Sequence, residues 1–534
     1  MALRLGIALI SGIFMGLTTA PVNAWPLAWV ALVPLWVLVV NYERKKVEEK
    51  KGKLSFFPFT FLLLPLFWGI GYHGTALFWI TGIHPMTWLG VPWLPSLLIT
   101  IFCWTFITLW GAALVTVWAV GFRTIVDLIP NPKSPIQNTL VRLLIGTALW
   151  CSLESFWSSG SLWWTSLSYT QSPHNLAILH LGQISGPNTI TAAIVAVNGL
   201  IAELVIDKEK NNFDKVIFSK LIIVISFLAG LHIIGFVLYS RPLIQPSATA
   251  LKVGIIQGNI PNKIKFNSAG WYRAIEGYTI GYRTLADKGV DAVLIPETAL
   301  PFIWTNLDRI PRSFYTAVLE KGAVAWVGGF GETGRNLTNS LFTVTATGEI
   351  FSRYDKVKLV PLGEYIPFEE YLGSLIDKLS PLDAHLVLGK PNQVFDTPFG
   401  RAIVGICYDS AFSELFRRQA ANGGQFILSA SNDAHYKESM MAQHHAQDIM
   451  RAIETDRWAV RATNTGYSGI IDPHGRTQWL SKINTFELHA ATIYRRQSQT
   501  LYVRWGDWLT PLLLLLATLT PAVQYLLQKK NDNE

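Results

Sequence analysis

The chain has 534 residues, half of them hydrophobic and only 15% charged, with 21 Trp and a net charge of +8. That balance excludes an ordinary soluble globular protein, which carries more charge. Three cysteines, Cys103, Cys151 and Cys407, leave no disulfide framework.

Stretches long enough to cross a bilayer need about 20 mostly apolar residues. Eight candidates occur, at 3–19, 24–40, 56–72, 94–120, 140–156, 190–205, 216–238 and 509–527. The first has Arg4 ahead of an apolar run, as a signal peptide would. A second span follows almost at once with no A-x-A-like site between them, so the pair is expected to stay as a helical hairpin.

Loop charges predict the orientation. Segment 42–54 holds Arg44, Lys45, Lys46, Lys50, Lys51 and Lys53; 121–139 holds Arg123 and Lys133; 207–215 holds Lys208, Lys210 and Lys215; the tail holds Lys529 and Lys530. The intervening loops 73–93 and 157–188 contain no Lys or Arg. An excess of Lys and Arg marks cytoplasmic loops. The expected organisation is a seven-span bundle at 1–239, an extracytoplasmic domain at 240–508, and an eighth span with a cytoplasmic tail at 509–534. The positive charge therefore calls for no nucleic-acid partner.

The two neutral loops are aromatic. Trp79, Trp88 and Trp93 mark the first, and Trp157, Trp163, Trp164 and Tyr169 the second. Such residues form either an interfacial belt or a wall that guides acyl chains to a site at the membrane surface. Glu154, near the outer end of the fifth span, is a candidate functional carboxylate or a residue at the water boundary.

From Leu251 the pattern changes to short apolar strands separated by helices. Strands are predicted at 252–257, 292–295, 323–328, 340–345, 402–406, 425–429, 459–462, 468–471 and 490–494. Helices are predicted at 271–288, 311–321, 412–420 and 442–455. About 260 residues of this kind suit one α/β domain.

Three strand ends carry chemistry. Leu294-Ile-Pro-Glu297 places a carboxylate after a buried strand and a proline, where it is poised to accept a proton. Tyr354-Asp-Lys356-Val-Lys-Leu-Val-Pro-Leu-Gly-Glu364 supplies a cation and a second carboxylate. Gly405-Ile-Cys407 delivers a thiol between a strand and a helix, where the helix dipole is expected to lower its pKa. Base, cation and nucleophile form an acyl-transfer set. Lys358 competes with Lys356, because alternation along a strand would point both to one face.

The trio Glu297, Lys356 and Cys407 resembles the nitrilase (carbon–nitrogen hydrolase) superfamily. Nearly the whole chain resembles the bacterial apolipoprotein N-acyltransferase family, through Ala24-Trp-Pro-Leu-Ala-Trp, Gln257-Gly-Asn-Ile-Pro261, Ser431-Asn-Asp433, Arg461-Ala-Thr-Asn-Thr-Gly466 and Tyr502-Val-Arg-Trp-Gly-Asp507. The resemblance implies an α-β-β-α sandwich on a bundle of about eight transmembrane helices in a bacterial inner membrane. It implies Glu297 as general base, Lys356 as oxyanion stabiliser and Cys407 as acyl carrier. Glu364 matches a further essential carboxylate, and Tyr408 and Asp409 flank the nucleophile. The implied partners are a phospholipid donor, a diacylglyceryl-modified apolipoprotein acceptor and the bilayer. No cofactor and no metal is implied.

Three positions depart from the family pattern. Asp409 stands for Glu, His435-Tyr436-Lys437 for Trp-Phe-Gly, and Phe266 for Trp. These segments are expected to border the lipid-binding mouth. His435, His444 and His445 match no zinc spacing. Arg451, Glu454 and Arg457 stand at helical i, i+3 spacing and predict a structural ion-pair ridge. A membrane-anchored amidase using the same trio, and a catalytically dead lipoprotein-binding scaffold, are the competing readings.

Overall fold

The computed structural model describes residues 1–42, 58–129, 135–210, 215–306, 310–361, 363–365 and 386–520. Most of the basic segment 42–54, Lys133, Lys529, Lys530 and the end of the 509–527 stretch lie outside them.

Among the described residues, four helices are long and apolar enough to cross a membrane: Trp93–Leu128, Gln137–Ser159, Pro187–Asp207 and Ile217–Tyr239. Of the other expected spans in the described residues, two are short or broken, and helix Phe59–Ala76 runs 18 residues with Pro65 inside it. Ala2–Gly16 has 15 residues, about 22 Å at 1.5 Å per residue. The 24–40 stretch divides into a 3-10 turn, Trp25–Trp29, and a helix, Val33–Val40. Pro26 and Pro34 stand at the first turns of these two pieces, where a missing N–H costs no helical bond. Helices Ala2–Gly16 and Phe59–Ala76 pack through glycines: a Cβ on Gly12 would lie 2.1 Å from the Trp68 carbonyl oxygen, and one on Gly71 2.4 Å from the Leu9 carbonyl oxygen.

The second half forms two six-stranded sheets. Strands β1 (Ala250–Gln257), β2 (Ala292–Leu294), β3 (Val324–Thr333), β4 (Asn336–Val344), β5 (Ile350–Asp355) and β12 (Glu487–Tyr494) lie in the order β12-β1-β2-β3-β4-β5. Strands β6 (Phe395–Thr397), β7 (Gly400–Ile406), β8 (Ile427–Ser431), β9 (Ala459–Thr463), β10 (Gly469–Ile471) and β11 (Thr477–Leu480) lie in the order β11-β10-β9-β8-β7-β6. Each sheet has three parallel central strands, β1-β2-β3 and β7-β8-β9.

Period-two alternation sets the layers. Val253, Ile255, Leu294 and Trp326 face the other sheet and join one core with Val404, Leu428 and Val460. Ile256, Val293 and Val327 point the other way, against Tyr278, Tyr282 and Phe314 of helices Ser268–Asp287 and Arg312–Lys321. Helices Ser413–Ala421 and Glu438–Thr455 cover the second sheet through Phe416, Ile449 and Ile453. The result is the expected α-β-β-α sandwich.

Three strands, β5, β6 and β11, were not predicted. β5 is an edge strand of mixed polarity, β6 has three residues, and β11 is half exposed. None carries the apolar run that marks a buried strand.

Candidate active site

Four loops at strand ends converge on one pocket, lined by Glu297, Lys356, Glu364 and Cys407 with Phe266 and Tyr436 among its walls. Glu297 follows β2, and the next residue, Thr298, lies in the left-handed region at φ 43°. Lys356 directly follows β5, and its N–H donates to the Asn339 carbonyl at 2.8 Å. Its ammonium donates to Glu297 Oε1 at 2.8 Å and to Glu364 Oε1 at 3.0 Å.

Lys358 goes elsewhere. Residues 356–360 form a loop rather than a strand, so alternation does not apply. Lys358 Nζ donates to the carbonyls of Ser159 and Gly160, both at 3.2 Å, and lies over the Phe412 ring.

Two site residues escaped the sequence reading. Asn339 of β4 donates through Nδ2 to Glu297 Oε1 at 2.7 Å and Glu364 Oε1 at 2.9 Å. Its signal was there: Thr338-Asn339-Ser340 is a polar triplet inside a buried strand. Lys265 is buried, and its Nζ donates to the Glu297 carbonyl at 3.1 Å. A lone lysine at the end of a short helix gives no such signal.

The electrostatics follow from burial and these pairs. Desolvation would raise the Glu297 carboxyl, but the Lys356 ammonium, with Lys265 and Asn339, outweighs it and holds the pKa below the usual carboxylate value. Burial lowers Lys356, yet Glu297 and Glu364 raise it well above an ordinary lysine. Burial lowers Lys265 to about 8.

Cys407 corrects an expectation. It heads a 3-10 turn, Cys407–Ala411, and the α-helix begins only at Ser413. Burial, and then the Glu297 carboxylate, push its thiol pKa well above 9.0, against a smaller opposing effect of Lys356. The Cys407 backbone is left-handed, at φ 50°.

Tyr408 and Asp409 brace this turn and do not line the pocket. The Tyr408 hydroxyl accepts from the Trp163 N–H at 3.0 Å and donates to the Ser161 carbonyl at 2.8 Å, tying the Cys407 turn to the bundle. Asp409 accepts from the N–H groups of Ile406, at 3.1 Å, and Lys358, at 2.8 Å. Burial raises its carboxyl to about 7, against the pull of Lys356 and these N–H donors.

The aromatic loops divide. Trp93 is exposed, as an interfacial residue would be. Trp79, Trp163, Trp164 and Tyr169 are buried in the seam between bundle and sandwich. Trp79 meets Tyr436 edge-on at 5.1 Å, Trp164 stacks with Tyr408 at 6.1 Å, and the Tyr169 hydroxyl donates to the Ala411 carbonyl. Glu154 is buried away from water and accepts hydrogen bonds from Trp150, Ser166, Leu167 and Thr191.

The ion-pair ridge is shorter than expected. Arg451 pairs with Glu454 at 2.9 Å, but Arg457 lies beyond the helix end and donates to the Gly424 carbonyl. Ligand atoms of Cys407, Asp433 and His444 lie within 4.8 Å of one another. Both ring nitrogens of His444 are taken up by oxygen partners, Asp433 Oδ1 and the Cys407 carbonyl. His444 thus ties Asp433 to the Cys407 backbone.

The carbon-nitrogen hydrolase model matches residues 252–499, and the apolipoprotein N-acyltransferase N-terminal domain model matches residues 11–200. An apolipoprotein N-acyltransferase from Nostoc sp. is 62% identical over 95% of this chain and 96% of its own. The chain belongs to the apolipoprotein N-acyltransferase family. A second family member, from Synechocystis sp., is 48% identical over 95% of this chain and 98% of its own. A solved amidase from Nesterenkonia sp. aligns at 16% identity and a TM-score of 0.36, covering 48% of this chain and 95% of that chain. Like its family, the chain joins a carbon–nitrogen hydrolase domain to the apolar helices of a membrane protein.

Proposed function

We propose that this protein moves a fatty acyl chain from a phospholipid, through a thioester on Cys407, to the α-amino group of the diacylglyceryl-cysteine of an apolipoprotein. The observation that carries the reading is the buried Glu297–Lys356 pair, joined by the part-buried Glu364, in one pocket with Cys407.

Glu297 takes the thiol proton as sulfur attacks the ester carbonyl of the donor. Two N–H groups of Lys356 are directed at Glu297 and Glu364, and the third faces the developing oxyanion. Collapse of the tetrahedral intermediate breaks the ester C–O bond. Glu297 returns its proton to the departing alkoxide, which leaves as a lysophospholipid. The acceptor amine then attacks the thioester, Glu297 takes the proton, and the amide leaves as Cys407 recovers its thiol. Glu364 and Asn339 hold Lys356 and Glu297 in register, while Tyr408 and Asp409 hold the turn.

The alternation of basic and neutral loops supports eight crossings, with 240–508 on the outer face of a bacterial inner membrane. Short helices such as Ala2–Gly16 would cross by thinning the bilayer or by pairing with neighbours. The amidase alternative is not favoured, since relatives matching 95% of the chain are acyltransferases by name.

The test is exposure of the full-length protein to a phospholipid with a labelled acyl chain, followed by mass spectrometry of Cys407. A hydroxylamine-labile acyl adduct is expected. Equal labelling of a Cys407→Ser protein would defeat the proposal.

A further inference from the structure

His444 lies on helix Glu438–Thr455, fully buried, outside the cluster that performs the chemistry above. Its Nε2 is 2.9 Å from the main-chain carbonyl oxygen of Cys407, and its Nδ1 is 3.0 Å from Asp433 Oδ1. A carbonyl oxygen can only accept. The Nε2 contact is therefore a hydrogen bond donated by the ring to the Cys407 carbonyl, with Asp433 seated on the opposite ring nitrogen.

The bracket behind it is an ion-pair network. Arg461 bridges Asp433 Oδ2 at 3.1 Å and Asp448 Oδ2 at 2.6 Å, and Ser429 of β8 donates to Asp448 at 2.7 Å. The neighbouring Gln443 fixes the same helix turn to the bundle: its Nε2 donates to the carbonyls of Ala20 and Ala76, and its Oε1 accepts from the Trp164 indole. His444 is thus a donor held from both sides and aimed at the backbone of the nucleophile. That backbone sits at φ 50°, a region that a residue with a Cβ occupies only when its surroundings impose it.

We propose that His444 is a positioning residue for acyl transfer: its Nε2–H holds the Cys407 carbonyl and so keeps the nucleophile in its left-handed conformation. The proposal rests on the reading of Cys407 as the acyl carrier.

Two substitutions separate the two ring nitrogens. His444→Gln keeps a donor toward Cys407; His444→Asn keeps one toward Asp433. Full-length variants in detergent–phospholipid micelles are compared by the single-turnover rate of thioester formation and by the phospholipid concentration giving half that rate. His444→Asn is expected to slow the step about a hundredfold, the scale of a misplaced reacting group, with half-saturation changed less than about twofold. His444→Gln is expected to stay within about tenfold of the parent. The reverse order, equal loss in both, or no loss in either overturns the proposal. A parent protein that forms no thioester sinks the acyl-carrier reading instead. The same pair then reports through the rate of Cys407 alkylation by iodoacetamide, where parental behaviour of His444→Asn would still overturn the role of His444.

Discussion

Lys356 Nζ lies 2.8 Å from Glu297 Oε1, so the ammonium and the proposed base are already paired in the substrate-free protein. The pair is buried, and Glu364 and Asn339 complete its hydrogen bonds. Glu297→Gln keeps the shape and removes the proton acceptor. Thioester formation should slow by about 10²–10⁴-fold, while the melting temperature stays close to the parent's. Single-turnover acylation with labelled phospholipid measures this. Unchanged kinetics would remove Glu297 from the role of base.

The thiol itself gives a pH prediction. Burial and the Glu297 carboxylate raise the Cys407 pKa, so the neutral thiol dominates below it and the thiolate appears only above. Iodoacetamide alkylation of Cys407 should therefore keep rising beyond pH 9, the ordinary thiol value. A rate that levels off between pH 6 and 7 would reveal a resting thiolate, and no base would then be needed.

Acid should act through Glu297. Its carboxyl is held below 4.5, so the base stays ionised across neutral pH and is lost only as pH falls through that lowered value. The acid limb of the acylation rate is expected below pH 4.5. A limb centred near 6 would assign the essential base elsewhere.

The sandwich was legible because its central strands are continuous apolar runs with period-two inner and outer faces, as in Val253-Gly-Ile255-Ile256. The meeting of Glu297, Lys356 and Cys407 in one pocket was legible because each follows a strand. The direction of Lys358 was not, since two residues of spacing cannot distinguish a strand from the loop that carries it to Ser159 and Gly160. Lys265 and Asn339 were missed because their burial is set by contacts across the fold, Lys265 with Glu297 and Asn339 with Glu297 and Glu364. The thiol pKa was misjudged for the same reason. The local argument placed a helix dipole at Cys407, while the fold places it in a desolvated site beside a carboxylate.

Gly328 of β3 offers a test that touches no site residue. A Cβ there would lie 2.0 Å from the Pro296 carbonyl oxygen and 2.8 Å from the Thr298 nitrogen. Both atoms belong to the backbone on either side of Glu297, so neither can yield without moving that carboxylate. Gly328→Ala should destabilise the protein by about 1–3 kcal/mol, the usual cost of overpacking, and slow acylation as well. Full acylation with an unchanged melting temperature would show that the loop has room to spare.

Glu154 gives a prediction that reaches the site from inside the bundle. Its carboxylate accepts from the Leu167 N–H at 2.9 Å, Ser166 Oγ at 2.7 Å, Thr191 Oγ1 at 2.8 Å and Trp150 Nε1 at 3.1 Å. Ser166 and Leu167 belong to the loop whose Trp163 backbone holds the Tyr408 hydroxyl. Glu154→Ala would orphan four donors in a dry setting, each at about 1–3 kcal/mol, so the loop should loosen rather than bear that cost in place. Glu154→Gln keeps one acceptor oxygen and should fall between alanine and the parent. Hydrogen exchange over residues 161–171 should rise in the order parent, Gln, Ala, and thioester formation should fall in the same order. Faster exchange with undiminished acylation would break the link between that loop and the nucleophile, and the carboxylate would then serve the bundle alone.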